Sequence, residues 1–295
     1  VKQILRWPLW LLEAIPFFLM MGIFRLIGLD AASALGGWLA RTIAPLSPTH
    51  GLAKRNLARA MPELTPDQIA VIVRGMWDNL GRTFAEYPHL RRFIGFPNDR
   101  VEVVGLQNAK DAASGNGVIL VSGHFANWEV LALTVYRVGL EGTSLYRPTN
   151  NRIVNAWIMW QRQRCGYPRQ ISKNGDGARD MLRILKANTY VALLVDQKHR
   201  EGQAIPYFGR DAMTATGPAI LSLRTGAAIV PVTIERTKGA RFRVAFLPKM
   251  EFTRSGDKAA DTRLILTAIN AFMEGAVRAN PSMWLWAHDR WLEGG

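Results

Sequence analysis

With a single cysteine, Cys165, this chain has no intrachain disulfide framework, and its five histidines form no Cys/His cluster of the kind that holds zinc or an iron–sulfur centre. No P-loop lysine motif and no glycine-rich dinucleotide turn is present, so no nucleotide cofactor is expected, and no metal either. Repeats, low-complexity tracts and Ser/Gly linkers are also missing. The 295 residues therefore suit one large domain better than two small ones. Acidic residues are scarce: 23 Asp and Glu face 37 Lys and Arg, a formal charge of +14. Such an excess attracts polyanions, namely nucleic acid, an anionic lipid surface or a phosphorylated substrate. The cations are spread along the chain, at Lys54, Arg55, Arg59, Arg91, Arg92, Arg162, Arg164, Arg169, Lys173, Lys198 and Arg200. A nucleic-acid reader more often carries a compact basic motif or an aromatic RNP-like strand, and neither is found, so no nucleic-acid partner is expected.

The amino-terminal stretch is almost wholly apolar. From Trp7 to Phe24 only Glu13, Pro8 and Pro16 interrupt it, with Lys2 and Arg6 before and Arg25 after. That length is marginal for a hydrocarbon core of about 30 Å, Pro16 kinks a helix, and Glu13 is costly at mid-bilayer. The segment reads as a membrane-anchoring helix, with a full span and an oblique insertion both open. A cleavable secretory signal is the weaker alternative, because Arg25 and Asp30 separate the apolar core from Ala32-Ser-Ala34. Ala31 to Ile43 has helical spacing and suits a membrane surface.

Further along, Thr65 precedes Pro66 as an N-cap and first turn for a helix reaching Glu86, and Arg92 to Arg100 reads as a loop. Strands are predicted at Val101–Val104, Val118–Ser122, Ser144–Tyr146, Tyr190–Val195, Ala228–Thr233 and Phe242–Phe246. Helices are predicted at Asn127–Arg137, Arg152–Arg164, Gly177–Lys186, Gly217–Thr225 and Thr262–Ala279. Strands alternating with helices indicate an α/β sandwich around a parallel or mixed sheet. The expected division is an anchor over 1–29, a helical preamble over 30–98 and an α/β core over 99–295, the last two forming one domain. Sites in such folds gather at the carboxyl ends of strands, and His124, Arg147 and Asp196 each follow one.

The densest chemistry lies in His124-Phe-Ala-Asn-Trp-Glu129, which follows the apolar run Val118–Ser122 and Gly123. On one continuous helix, residues five apart point about 140° away from each other. His124 and Glu129 meet if the histidine sits in the turn leaving a strand and the glutamate in the first helical turn. A carboxylate on one ring nitrogen fixes the tautomer and leaves the other nitrogen to take a proton from a hydroxyl. The expected pair is therefore a His124/Glu129 dyad that activates an alcohol. Asn127 either caps the following helix or touches substrate. Asp196 and Gln197 end an apolar strand, where a charge needs a reason, and an orienting role is preferred for both. Trp284, Trp286 and Trp291 are either interfacial anchors or core residues, with core packing favoured; Pro206 to Gly209 reads as a loop tip. Cys165 lacks a flanking histidine, which speaks against a thiol acyl-enzyme.

His-x4-Asp/Glu after an apolar strand resembles the superfamily that moves acyl chains from thioesters onto glycerol phosphates and lysophospholipids. The form Gly-His-Phe-x-Asn-Trp-Glu resembles its lipid A lauroyl/myristoyl acyltransferase branch. Further matching positions are Asn56-Leu57, Met61 to Leu64, Asn79 to Gly81, Glu86, Tyr146-Arg147-Pro148, Asn150-Asn151, Asp196-Gln197, Phe208-Gly209, Thr216 to Pro218 and Trp284 to Trp291. The resemblance implies a glycerol-phosphate-acyltransferase-like αβ sandwich at the cytoplasmic face of a bacterial inner membrane. The implied donor is an acyl-carrier-protein thioester, and the implied acceptor is a hydroxyl of a phosphorylated, usually Kdo-bearing, lipid A precursor. His124 is then the base, Glu129 its positioner, and Arg147 the leading contact for the oxyanion or a substrate phosphate, with backbone amides near Asn127 sharing that task. No cofactor is implied. Acylation of a lysophospholipid or a phosphatidylinositol mannoside is the alternative.

Overall fold

The computed structural model describes residues 7–95, 99–113, 115–137, 139–146, 148–167, 170–172 and 177–291. Its sheet contains β1 (Val101–Val104), β2 (Val118–Ser122), β3 (Gly142–Tyr146), β4 (Ile171–Ser172), β5 (Tyr190–Leu194), β8 (Ala228–Lys238) and β9 (Arg241–Phe246), in the order β1-β9-β8-β2-β5-β3-β4. All neighbours are parallel except β8 and β9, which form an antiparallel pair. The fold is thus a mixed α/β sheet, as the alternation of elements predicts. β2 consists of Val, Ile, Leu, Val and Ser and is buried at all five positions, as a central strand covered on both faces must be. A separate hairpin, β6 (Gln203–Tyr207) with β7 (Arg210–Thr214), turns at Phe208-Gly209.

Ten α-helices are described: α1 (Trp7–Ile27), α2 (Leu29–Ile43), α3 (Pro48–Ala60), α4 (Pro66–Glu86), α5 (Leu106–Ala112), α6 (Trp128–Arg137), α7 (Arg152–Arg164), α8 (Gly177–Lys186), α9 (Gly217–Thr225) and α10 (Lys258–Ala279). Thr65 closes a capping box with Gln68 at the start of α4, so that two orphan donors are satisfied reciprocally. α3, α5, β4, β6 and β7 are additions to the elements expected. α3 is polar overall, β4 is two residues long, and Pro206 disguises β6, so none carries a clear period.

The preamble is bound tightly to the sheet. α2 buries Leu29, Ala32, Ser33, Gly36 and Gly37, the last two against α4. A side chain at Gly36 would stand 2.5 Å from the Gly81 carbonyl oxygen, and one at Gly81 would stand 2.1 Å from that of Gly36. Only glycine at both positions permits this approach of the two backbones. On α2, Trp38 and Ile43 remain exposed.

α1 is long and apolar enough to cross a membrane, but one face of it belongs to the protein. Trp10, Ala14, Met21 and Phe24 are buried at helical spacing, while Leu12, Ile15, Leu19, Ile23 and Leu26 point outward and are exposed. The Trp10 carbonyl accepts from Asn151 at 2.9 Å, Phe17 meets Trp157 edge-on at 5.3 Å, and the His89 ring bonds the Phe24 carbonyl at 2.8 Å.

Candidate active site

β2 and β5 are parallel neighbours, with Ser122 opposite Leu194. The residue two past each strand end therefore lies beside its counterpart, and these residues are His124 and Asp196. The imidazole Nδ1 stands 2.8 Å from Asp196 Oδ1, and the His124 backbone N–H donates to Oδ2 at 2.7 Å. Trp284 adds its indole N–H to Oδ2 at 2.8 Å. The ring is 17% exposed, and among the described residues its Nε2 faces the Gln197 amide nitrogen, at the long distance of 3.4 Å. Trp128 meets the ring edge-on at 5.2 Å.

Burial works against the imidazolium, but the Asp196 charge and hydrogen bond outweigh it and raise the His124 pKa above its ordinary 6.5; the Glu129 charge adds to this. Burial likewise opposes ionisation of Asp196, yet the His124 charge and the bonds from the His124 ring, the His124 amide and Trp284 bring that carboxyl down to about 2. Asp196 is thus a fixed anion at Nδ1, which leaves Nε2 as the ring nitrogen not engaged by a carboxylate.

The turn between β2 and α6 is held from several sides. At Gly123 a Cβ would meet Met273 at 2.4 Å and Asp196 Oδ2 at 3.1 Å, so any larger residue would intrude on the aspartate. Ala126 has φ +40, a strained value for a residue with a Cβ. Its carbonyl accepts from Asn79 at 3.1 Å and Thr83 at 2.8 Å on α4, and its amide donates to the Met283 carbonyl at 2.9 Å. Asn127 caps α6: its Oδ1 accepts from the amides of Glu129 at 3.0 Å and Val130 at 3.3 Å, while its Nδ2 donates to Glu86 at 2.7 Å. Glu86 also accepts from Ser33 at 2.7 Å and pairs with Arg236 of β8. These contacts explain Asn79 and Glu86, which carry the resemblance but sit 45 and 38 positions before His124.

Glu129 occupies a different pocket. Its Oε1 accepts from the Tyr87 hydroxyl at 2.7 Å and from Arg162 Nη2 at 2.6 Å; its Oε2 accepts from Arg162 Nε at 2.9 Å and lies 3.2 Å from the Tyr167 hydroxyl. Burial resists the charge, but Arg162, with the tyrosine hydroxyls behind it, holds the carboxyl below its usual range. The guanidinium stacks over Tyr146 and Tyr167, at 5.4 and 5.9 Å.

The structure corrects the sequence reading at the dyad and resolves it at the neighbouring residues. The carboxylate hydrogen-bonded to the His124 ring is Asp196, not Glu129, because the parallel register puts position 196 opposite position 124 while α6 carries Glu129 to Arg162. Asn127 is a cap: it is fully buried with both amide atoms engaged, and does not face a substrate. Of the backbone amides near Asn127, those of Glu129 and Val130 are taken by that cap. Gln197 faces Nε2 rather than sharing the Asp196 position. Arg147 lies outside the described residues. Tyr87, Arg162, Tyr167 and the partnership of Trp284 with Asp196 were not foreseen. They come from four separate elements, and a buried Glu129 needing a cation was the one available signal. Trp284, Trp286 and Trp291 are buried, which is the packing role favoured for them, as are Tyr207 and Phe208 of the hairpin turn.

The profile of the bacterial lipid A biosynthesis acyltransferase family matches residues 5–293 of this chain. The chain is 26% identical over 248 residues to a lipid A biosynthesis lauroyltransferase of Escherichia coli (strain K12), covering 81% of this chain and 78% of that one. It is 27% identical over 251 residues to a phosphatidylinositol mannoside acyltransferase of Mycobacterium tuberculosis (strain CDC 1551 / Oshkosh), covering 81% and 76%. The crystal structure of the 1-acyl-sn-glycerophosphate (LPA) acyltransferase PlsC from Thermotoga maritima aligns with a TM-score of 0.36 at 11% identity, over 83% of this chain and 97% of that one.

Proposed function

Because the chain belongs to the bacterial lipid A biosynthesis acyltransferase family and is an acyl-transferring enzyme, we propose that it moves a fatty acyl chain from acyl-carrier protein onto a hydroxyl of a phosphorylated, Kdo-bearing lipid A precursor. The reaction takes place at the cytoplasmic face of a bacterial inner membrane, with α1 as the membrane-associated helix. One observation carries the mechanism: a partly exposed imidazole whose Nδ1 is held by an anionic Asp196 and whose Nε2 has no carboxylate partner among the described residues. Nε2 takes the proton of the acceptor hydroxyl as its oxygen attacks the thioester carbonyl. The tetrahedral oxyanion collapses, the C–S bond breaks, and the imidazolium returns the proton to the departing thiolate. Asp196 positions the ring and offsets its charge. Glu129, clamped by Arg162, fixes the first turn of α6 and adds its negative potential at a distance. Arg147, following β3 beside β5, is the proposed donor to the oxyanion or a substrate phosphate. The net charge of +14 suits both an acidic carrier protein and a phosphorylated lipid.

Purified full-length protein, given labelled acyl-carrier protein and, separately, a Kdo-lipid A precursor, a lysophospholipid and a phosphatidylinositol mannoside, should acylate the first. His124→Ala should lower the transfer by about 10²-fold or more. Transfer unchanged in that variant would end the proposed mechanism. Acylation of the mannoside alone would replace the acceptor with the second reading, which is kept because relatives of that name are equally similar.

A further inference from the structure

A cleft of about 300 Å³ opens between α1, the 3-10 turn at Tyr87–Phe93 and α7. Three arginines from these three elements line it: Arg25, Arg91 and Arg164. Elsewhere Arg41 and Arg82 meet Asp78, Arg162 meets Glu129 and Arg236 meets Glu86, whereas Arg263 and Arg290 bond carbonyl and side-chain oxygens without a carboxylate among the described residues, so it is the gathering of three such cations at one cleft that sets this place apart. Among the described residues no carboxylate pairs with any of the cleft's three. Arg25 donates to the Pro88 carbonyl at 3.2 Å, and Arg164 lies over the Trp160 ring at 4.5 Å. Like charges gathered without an anion repel one another, and guanidinium groups match phosphate oxygens in geometry. The remaining wall is mostly apolar, with Phe18, Met21, Leu90, Trp157 and Trp160, and Ile23 and Leu26 of the neighbouring α1 face are 49% and 86% exposed.

We propose that this cleft seats one anionic phospholipid of the bilayer, its phosphate on Arg25, Arg91 and Arg164 and an acyl chain along Phe18, Trp157 and the exposed face of α1. The combination of a cationic rim and an apolar wall at a helix of membrane length fits a phosphodiester carrying a hydrocarbon tail better than either part alone. None of His124, Trp128, Asp196 and Gln197 lines the cleft, so the occupant is a lipid of the membrane and not the acyl acceptor. A lipid there also holds α1 against α7 along its length. Contacts of α1 with the body run from Trp10 to Arg25, about 22 Å at the helical rise. Gln161 lines the cleft and donates to the Tyr87 carbonyl at 3.2 Å, so the seat is one layer from the Glu129 pocket. The inference does not depend on which acceptor is acylated.

The test is native mass spectrometry of the full chain in detergent doped with phosphatidylglycerol or phosphatidylcholine. Wild type should retain one phosphatidylglycerol and no phosphatidylcholine. Arg25→Glu/Arg91→Glu/Arg164→Glu should weaken retention at least tenfold. Lys238→Glu/Lys249→Glu/Lys258→Glu, which changes the net charge equally away from the cleft, should leave retention as it was. Equal loss in both triple variants assigns binding to diffuse charge and overturns the site, as does indifference of wild type to the headgroup. Displacement by soluble glycerol phosphate at equal concentration, or by a lipid A precursor, overturns the assignment to a bilayer lipid. If the cleft triple variant melts early, Trp160→Ala decides: that ring is 47% exposed and its loss should weaken retention several-fold, whereas unchanged retention sinks the proposal. Lipid retention is read without any transfer assay, so a wild type inactive on every acceptor leaves this result intact.

Discussion

The two buried carboxylates near the imidazole have opposite surroundings. Glu129 is closed off: a bidentate arginine and two tyrosine hydroxyls occupy its oxygens, and nothing further can reach them. Asp196 also accepts three bonds, but two of them come from His124, whose far nitrogen has only a long contact to the Gln197 amide among the described residues. The first carboxylate is part of the scaffold and the second is part of a proton path. Their difference shows that a carboxylate's role follows from what its neighbours leave unfinished more than from its distance in sequence. Removing the histidine is the strongest test. His124→Ala should lower transfer by about 10²–10⁴-fold, the usual value of a positioned general base, with a lower melting temperature too, because Asp196 is left with only the His124 amide and Trp284. A fall of less than tenfold would make the two pockets equivalent after all.

Glu129 should instead reveal itself in stability. Glu129→Ala leaves the Arg162 guanidinium buried and unpaired, a loss on the order of 3–5 kcal/mol. The double variant Glu129→Ala/Arg162→Ala should be less destabilised than the sum of its singles, because the stranded charge leaves with its partner. Denaturant melts of the four proteins measure this, and strict additivity would contradict the tight pairing.

Asp196→Asn sharpens the contrast through pH. The base must be neutral to act, and its pKa is raised mainly by Asp196, so the acid limb of the wild-type rate profile should lie above 6.5. Replacing the carboxylate should move that limb to lower pH while the maximal rate drops by about 10²-fold as the tautomer is lost. Stability has two signs here. The raised His124 pKa contributes below 6.5 and is lost as pH rises through the higher folded value. The depressed Asp196 pKa contributes above 3.8 and is lost as pH falls toward about 2. Glu129→Gln should shift the acid limb less than Asp196→Asn does, since its influence on the ring is by charge alone.

Most strands and helices were legible because burial on one or both faces writes a period into the chain: the predicted bounds of β1, β2, α7, α8 and α9 are those observed. His124 was legible for a similar reason, standing where a buried strand ends. Its partner was not, because spacing along the chain reports local neighbours, whereas Asp196 arrives from 72 positions away through the register of β2 against β5. That β5 ends in a charge after Val-Ala-Leu-Leu-Val was visible, and so was the need for a reason; the reason lay in the pairing of strands. Likewise the Glu86–Arg236 pair joins α4 to β8 across 150 positions and leaves no local trace. The hairpin was hidden by Pro206 and Gly209, which read as a loop and in fact flank a tight turn.

The smallest expected effect concerns Asn127, where capping and substrate contact make different predictions. If the side chain only caps α6, Asn127→Ala should cost about 1–2 kcal/mol of stability, and KM for the acceptor should not move. Aspartate is ordinarily as good a cap as asparagine. Here it should be worse than alanine, because the replaced amide donates to Glu86 at 2.7 Å and a second carboxylate would face the first. Asn127→Ser keeps a capping oxygen without that charge and should recover part of the loss. The ranking of asparagine, serine, alanine and aspartate in thermal melts, with KM constant throughout, is the signature of a buried cap tied to Glu86. A raised KM in the serine variant at near-native stability would instead put the amide in contact with substrate and bring Asn127 back to the acceptor side of the site.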